Sequence, residues 1–252
     1  MHHLCGESEG DFALMKRWYL LPSAAEIIFV AIFVRLVFNV AILLADGDTG
    51  YHIRAGEFII QARTIPKTDI FSLWMPALSW TAHEWLSEVL MAVVHHYAGL
   101  IGIVVLFSLT IATTHVLLFR MLRADSQDIL MPLLLTVIAA TTSSIHWLAR
   151  PHIFSLMLTV IWYSVLNRFH YRGKNQLFVL PFIMLLWVNL HGGYIFGLML
   201  LLVYIFGNLA GLFFSEKSES QEQFYKLKSL AKIFVACLLV SLCNPQGYRI
   251  LI

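Results

Sequence analysis

The stretch Ala24 to Ala45, AAEIIFVAIFVRLVFNVAILLA, followed at once by Asp46-Gly47-Asp48, decides the fold. Its length matches the roughly 20 residues that a helix needs to cross a bilayer. It is therefore expected to span a membrane and to set an Asp-x-Asp pair at the surface where it ends. Two carboxylates at an interface suit a divalent cation, a phosphate held through that cation, or the proton of an incoming hydroxyl.

The whole chain repeats this character. Of its 252 residues 59% are hydrophobic and only 13% charged, with a mean hydropathy of +0.76. Soluble domains carry about twice that charged fraction, so the composition predicts an all-α polytopic membrane protein. A net charge of +2, with no basic run, gives no ground for a nucleic-acid partner, and none is expected. Cys5, Cys237 and Cys243 have no zinc-type spacing and imply no disulfide framework. The first 22 residues lack an apolar core with a small-residue cleavage site, so the first helix reads as a retained signal anchor.

Apolar runs predict about seven spans, near 24–45, 100–121, 128–148, 152–168, 176–191, 193–213 and 229–243. Lys and Arg orient them. With the N-terminus in the cytoplasm, Lys16, Arg17, Arg120, Arg123, Arg168, Arg172, Lys174, Lys217, Lys226 and Lys228 fall inside, and Arg54, Arg63, Lys67, Arg150 and Arg249 outside. The resulting organisation is one membrane domain over 1–252, with a cytoplasmic tail at 1–23, an outer loop at 46–99 and a polar cytoplasmic loop at 214–228. This topology brings Asp46, Asp48, the loop 49–99, Arg150-Pro151-His152, Asn189 to Gly193 and Asn244 to Gly247 to one surface.

The outer loop is too long for a passive connection. Tyr51, Ala55, Phe58, Ile59 and Ala62 recur at helical spacing after Asp48, a candidate N-cap. The stretch from Ile65 to Ser72 breaks that helix. Thr81-Ala82-His83-Glu84 then offers a capping box for a second helix to about Tyr97, with Trp85, Leu86, Val89, Leu90 and Val93 as its apolar face and Glu84 and Glu88 on a polar stripe. Both helices are expected to lie in the interface.

From the residues alone, each polar group has an ordinary alternative. Asp46 and Asp48 could be solvated or capping carboxylates; His83 and Glu84 could be polar groups at a helix start. Arg150 and His152 sit where Arg either snorkels or holds a phosphate. Gly192-Gly193 makes a tight turn, which leaves Trp187, Asn189 and His191 unexplained. Arg35 and Asn39, inside the first span, read as structural. The histidines at 52, 83, 95, 96, 146, 152 and 191 show no His-x-x-x-His or His-Glu-x-x-His spacing, which argues against a dedicated histidine metal site.

In combination, the motifs resemble a known group. Asp46-x-Asp48-x-x-Tyr51-His52-Ile53-x-x-Gly56, Ile65-Pro66-x-x-Asp69-x-Phe71-Ser72, Trp80-x-x-His83-Glu84-Trp85-Leu86, Arg150-Pro151, Trp187-x-Asn189-x-His191-Gly192-Gly193 and Asn244-Pro245-x-Gly247 are similar, in this order, to bacterial polytopic membrane proteins classed with the GT-C glycosyltransferases. The resemblance implies transfer of a sugar from a polyprenyl-phosphate donor to an acceptor on the outer, periplasmic or extracellular, face of the bacterial inner membrane. Asp46 or Asp48 would be the catalytic base, with an optional divalent cation (Mg or Mn) on the same pair. Arg150, His152 and Arg54 would bind the donor phosphate, and His52, His83, Glu84, Asn189 and His191 would contact acceptor or sugar. Relatives continue well beyond the Asn-Pro-x-Gly turn, so the chain, ending at Ile252, reads as lacking the C-terminal part. The other functions compatible with these residues are a transporter or flippase of a lipid-linked or anionic substrate, and a non-catalytic truncated module.

The topology has a direct test. In a variant without native cysteines, a single cysteine at position 83 is expected to react with an impermeant maleimide added outside sealed cells. Labelling only after permeabilisation would contradict the orientation.

Overall fold

The computed structural model describes residues 22–72, 79–214, 217–247 and 249, and these form an all-helical protein without strands. Of the cytoplasmic tail expected at 1–23, residues 1–21 lie outside the described residues, as do 73–78 of the outer loop.

Helix α1, Ala24–Phe38, begins at a full capping box: the Glu26 amide donates to Ser23 Oγ (3.3 Å) and the Ser23 amide to Glu26 Oε2 (2.7 Å). The long apolar run is not one helix. It breaks at Asn39, whose φ of −128° and ψ of 62° leave the helical region, and resumes as the single turn α2, Val40–Leu43. Asn is prone to leave a helix because its side chain competes for backbone groups. The Leu43 carbonyl accepts the Ala149 amide (2.9 Å), and Thr49 Oγ1 donates to the Ala149 carbonyl (3.2 Å). These two bonds fasten the segment around Asp46 and Asp48 to the loop that carries Arg150.

Helix α3, Asp48–Ala62, occupies the span expected for the first interfacial helix, but Gly47 is its N-cap and Asp48 its first residue. The Asp48 amide donates to Asp46 Oδ1 (3.1 Å), so Asp46 supplies the cap that the sequence assigns to Asp48. Its buried face is Thr49, His52, Ile53, Ala55, Gly56 and Ile59, rotated from the apolar stripe of the sequence. Helix α4, Trp85–Ala124, starts at Glu84 without the capping box expected from Thr81, and is divided at Gly99. There φ is 59° and ψ −158°, a conformation that L side chains avoid, so glycine permits the corner between 85–98 and 100–124.

The 85–98 half is inverted relative to the sequence pattern. Ser87 and Glu88 are buried with Met91 and Ala92 against α3, while Val93 and Tyr97 are exposed. The reason is the close approach of the two helices. A Cβ on Gly56 would overlap the Glu88 carbonyl, so only glycine lets the backbones meet here.

The remaining helices are α5 (Leu130–Ser143, prolonged by a 3-10 turn, Ser144–His146), α6 (His152–Arg172), α7 (Val179–Leu190), α8 (Tyr194–Phe214) and α9 (Lys217–Ser241). Helices α1, α5 and α6 pack on α4, α7 and α8 on α6, and α9 on α7 and α8. The buried core includes Phe107, Ile111, Trp162, Met184 and Trp187. The connection expected at 214–228 is helical from Lys217 onward, as the first half of α9.

Among the described residues, two helices are long and apolar enough to cross a membrane, Trp85–Ala124 and Tyr194–Leu212, with Leu130–His146 and Val179–Leu190 apolar but shorter. That is fewer than the expected seven. Asn39 interrupts the first run, α6 carries Asn167, Arg168 and Arg172, and the apolar part of α9 fills only its second half. The exterior is nevertheless apolar on several helices. Phe38, Ile101, Leu130, Phe182, Val203 and Phe206 all face outward, each more than half exposed.

Gly56→Ala is expected to destabilise the protein by about 1–3 kcal/mol through overpacking. Gly50→Ala, on the same helix with nothing within 4 Å, is the comparison, expected to stabilise by up to about 1 kcal/mol through helix propensity alone. Thermal unfolding midpoints in detergent measure both.

Candidate functional site

At the end of the bundle where α3, α4 and α6 begin, a cavity of about 640 Å³ opens. Asp48, Tyr51 and His52 of α3 line one side, and Trp80, His83, Glu84 and Glu88 another. His146, Arg150 and His152 close it from the α5–α6 connection, and His191 from the α7–α8 turn. Residues far apart in sequence meet here because short connections at 147–151, 191–193 and 243–247 all fall at this end.

Arg150 organises the acidic pair. Its Nη1 donates to Asp46 Oδ2 at 2.7 Å, and its Nη2 donates to Asp48 Oδ2. The Asp46 carboxyl is held below its usual range first by the Asp48 amide, against its partial desolvation and with help from Arg150. Asp48 faces the cavity, whereas Asp46 stands behind it as its support. Arginine has five N–H donors and two are engaged, so the guanidinium keeps donors for an anion.

The optional metal does not fit this arrangement. One oxygen of each aspartate already binds the guanidinium, whose positive charge stands where a cation would bridge the pair. Among the described residues, no group of three or more His, Cys, Asp or Glu side chains is placed to hold a metal ion.

A second set of carboxylates comes from α4. Glu84 Oε1 lies 3.5 Å from His191 Nε2 and 3.6 Å from His83 Nε2. Burial pushes the Glu84 carboxyl up, but the His83 hydrogen bond and the charges of His191, His83 and His52 outweigh it and hold the group below its usual value. His83 is raised, first by its hydrogen bond to Glu84, against burial. Deeper in, Glu88 is 2% exposed and its Oε1 lies 3.4 Å from His52 Nδ1. Its Oε2 is buried with no hydrogen-bond partner among the described residues. Glu88 was visible in the sequence only as a member of the polar stripe, one helical turn from Glu84.

The turn after α7 shows why Trp187, Asn189 and His191 accompany the glycines. Trp187 Nε1 donates to Ser155 Oγ (2.7 Å), and Ser155 Oγ donates to His191 Nδ1 (2.8 Å). The Gly193 amide also donates to His191 Nδ1 (2.9 Å). Asn189 is not a cavity residue. Its Nδ2 donates to the carbonyls of Leu185 (2.8 Å) and Cys243 (3.1 Å), and its Oδ1 accepts from Trp85 Nε1 (2.7 Å). Asn244 does matching work, donating to the carbonyls of His83 (2.9 Å) and Val188 (2.8 Å). Both asparagines therefore hold the site's scaffold together.

Arg54 is also displaced from its expected role. It is exposed, pairs with Glu57 on α3 and does not line the cavity. His152 does line it, and its Nε2 donates to the His146 carbonyl at 2.7 Å. Tyr51 and Trp80 pack edge to face, 6.0 Å apart, and give the cavity an aromatic wall with Phe71 beside them. Burial, with Glu88 and Glu84 nearby, pushes the Tyr51 phenol well up, so it stays protonated.

Comparison with models of known families, with characterised proteins and with solved structures finds no match.

The Glu84–His83 pair predicts a pH window. Glu84, depressed below 4.5, contributes stability that is present above that value and lost as pH falls through its folded pKa. His83, raised above 6.5, contributes stability that is present below that value and lost as pH rises through its folded pKa. The thermal midpoint of wild type should therefore exceed that of Glu84→Gln most between pH 4.5 and 6.5. The gap should narrow on either side; a pH-independent gap would refute the pairing.

Proposed function

We propose that this chain is a polytopic membrane glycosyltransferase of the GT-C type, which moves a sugar from a polyprenyl-phosphate donor to a hydroxyl acceptor at the outer membrane surface. The observation that carries the reading is the makeup of this cavity. Asp48, Glu84 and Glu88 face Arg150 and several imidazoles, beside an aromatic wall of Tyr51 and Trp80. Carboxylates accept hydrogen bonds from sugar hydroxyls, aromatic faces suit the apolar face of a sugar ring, and a guanidinium suits a phosphate. The apolar exterior around this polar end supports placement in a bilayer.

The reaction is an inverting displacement at the anomeric carbon. Asp48 takes the acceptor's hydroxyl proton as its oxygen forms the new bond to that carbon. The carbon–oxygen bond to the phosphate breaks, and the electron pair leaves with the polyprenyl phosphate. The free donors of Arg150, with His152 beside it, stabilise the charge that develops there. Asp46 acts through its neighbours, capping α3 at the Asp48 amide and orienting Arg150. His83, Glu84, Glu88 and His191 hold sugar or acceptor hydroxyls.

Membranes supplied with radiolabelled polyprenyl-phosphate sugars test the reading. Asp48→Asn is expected to lower transfer by about 100-fold or more, the scale of general-base catalysis. Asp46→Asn should lower it less, and transfer that survives in the double variant would sink the base assignment.

A further inference from the structure

At the other end of α4 and α6, away from the cavity, a crevice of about 340 Å³ lies between the two helices. Its walls change character along their length. Leu117 on α4, with Ile161 and Val165 on α6 beside Ser164, make the inner part largely apolar. Arg120, Arg168 and Arg172 make the outer part cationic. From Ile161 to Arg172 the helix rises about 16 Å, so the crevice offers a charged end and an apolar trough in one slot.

The charges are unbalanced. Asp125 pairs with Arg172 and accepts from Asn167 Nδ2 at 3.1 Å, which makes it the counter-charge to one guanidinium. Arg120 and Arg168 are exposed and have no carboxylate partner among the described residues. A helix C-terminus attracts a nearby cation through its dipole. That accounts for a cation at each helix end, not for three guanidiniums directed into one crevice against a single carboxylate. Like charges so gathered repel unless an anion sits among them.

We propose that this crevice binds an anionic phospholipid, with its phosphate between Arg120 and Arg168 and the start of an acyl chain along Leu117, Ile161 and Val165. The inference rests on the bilayer placement and not on sugar transfer. Helix α6 has 21 residues and rises about 30 Å, close to the hydrocarbon thickness of a membrane, and Asn167, Arg168 and Arg172, which keep it from being apolar throughout, all lie in its last two turns. With His152 at one surface, Arg172 reaches the headgroups of the opposite leaflet. A lipid rather than free phosphate is favoured because the slot continues as apolar wall below the guanidiniums.

Native mass spectrometry of the full chain, purified in neutral detergent and mixed with phosphatidylglycerol or phosphatidylcholine, tests the proposal. Wild type should favour phosphatidylglycerol by about tenfold or more, the scale of charge-assisted hydrogen bonds to a phosphate. Arg120→Gln/Arg168→Gln should lose that preference, Arg120→Lys/Arg168→Lys should regain most of it, and Arg54→Gln should keep it. Unfolding midpoints of each variant separate lost binding from lost folding. Equal binding of the two lipids, or a preference that persists in the glutamine variant, overturns the proposal. Displacement of phosphatidylglycerol by millimolar inorganic phosphate overturns the lipid assignment. A requirement for detergent during extraction reports on the bilayer placement independently, and sugar transfer can fail without affecting any of these results.

Discussion

Arg150 bridging Asp46 and Asp48 is the contact on which the polar end of the molecule depends. It joins the chain just after α2 to the chain just before α6, and the bonds from the Ala149 amide to the Leu43 carbonyl and from the Thr49 hydroxyl to the Ala149 carbonyl reinforce it. One guanidinium between two carboxylates relieves a repulsion that would otherwise splay the start of α3 away from the bundle. The same contact sets the direction in which α3 leaves, and so decides that His52 and Gly56 face α4. The cavity is a consequence of that geometry.

A second constraint is the close approach of α3 to the first half of α4. Because Gly56 lets the backbones meet, Glu88 is drawn into the interior opposite His52 and the apolar Val93 and Tyr97 turn outward. A buried carboxylate with one unpartnered oxygen is unfavourable in a purely structural setting. Glu88 nevertheless belongs to the cavity wall that α3 and α4 form together. Packing and recognition are thus served by one pair of helices, and the placement of Glu88 belongs to both.

Much of this was legible in the sequence. The Asp-Gly-Asp corner, the bounds of α3, the break near Gly99 and the gathering of His83, Glu84, Arg150, His152 and His191 at one end follow from hydrophobic period, turn residues and charge bias. What was not legible depends on partners distant in the chain. The inward turn of Glu88 is dictated by Gly56, whose neighbour across the interface is not apparent from local pattern. Only the motif resemblance makes Asn189 an acceptor or sugar contact; its bonds to Leu185, Cys243 and Trp85 emerge once α7, α9 and α4 are packed. Capping misled for a related reason. Asp46 and Asp48 both have the right chemistry, and the backbone angle at Gly47 chooses between them.

The hydrogen bonds behind His191 also fix its chemistry. The Gly193 amide donates to Nδ1, so that nitrogen carries no proton, and the Ser155 hydroxyl, which accepts from the Trp187 indole, donates to it as well. A neutral ring in that setting has a single tautomer, with its proton on Nε2 and turned toward Glu84. Toward the cavity His191 is therefore a donor only. It can steady an oxygen or share a proton with Glu84, but it cannot take a proton from a substrate without first breaking its link to α6.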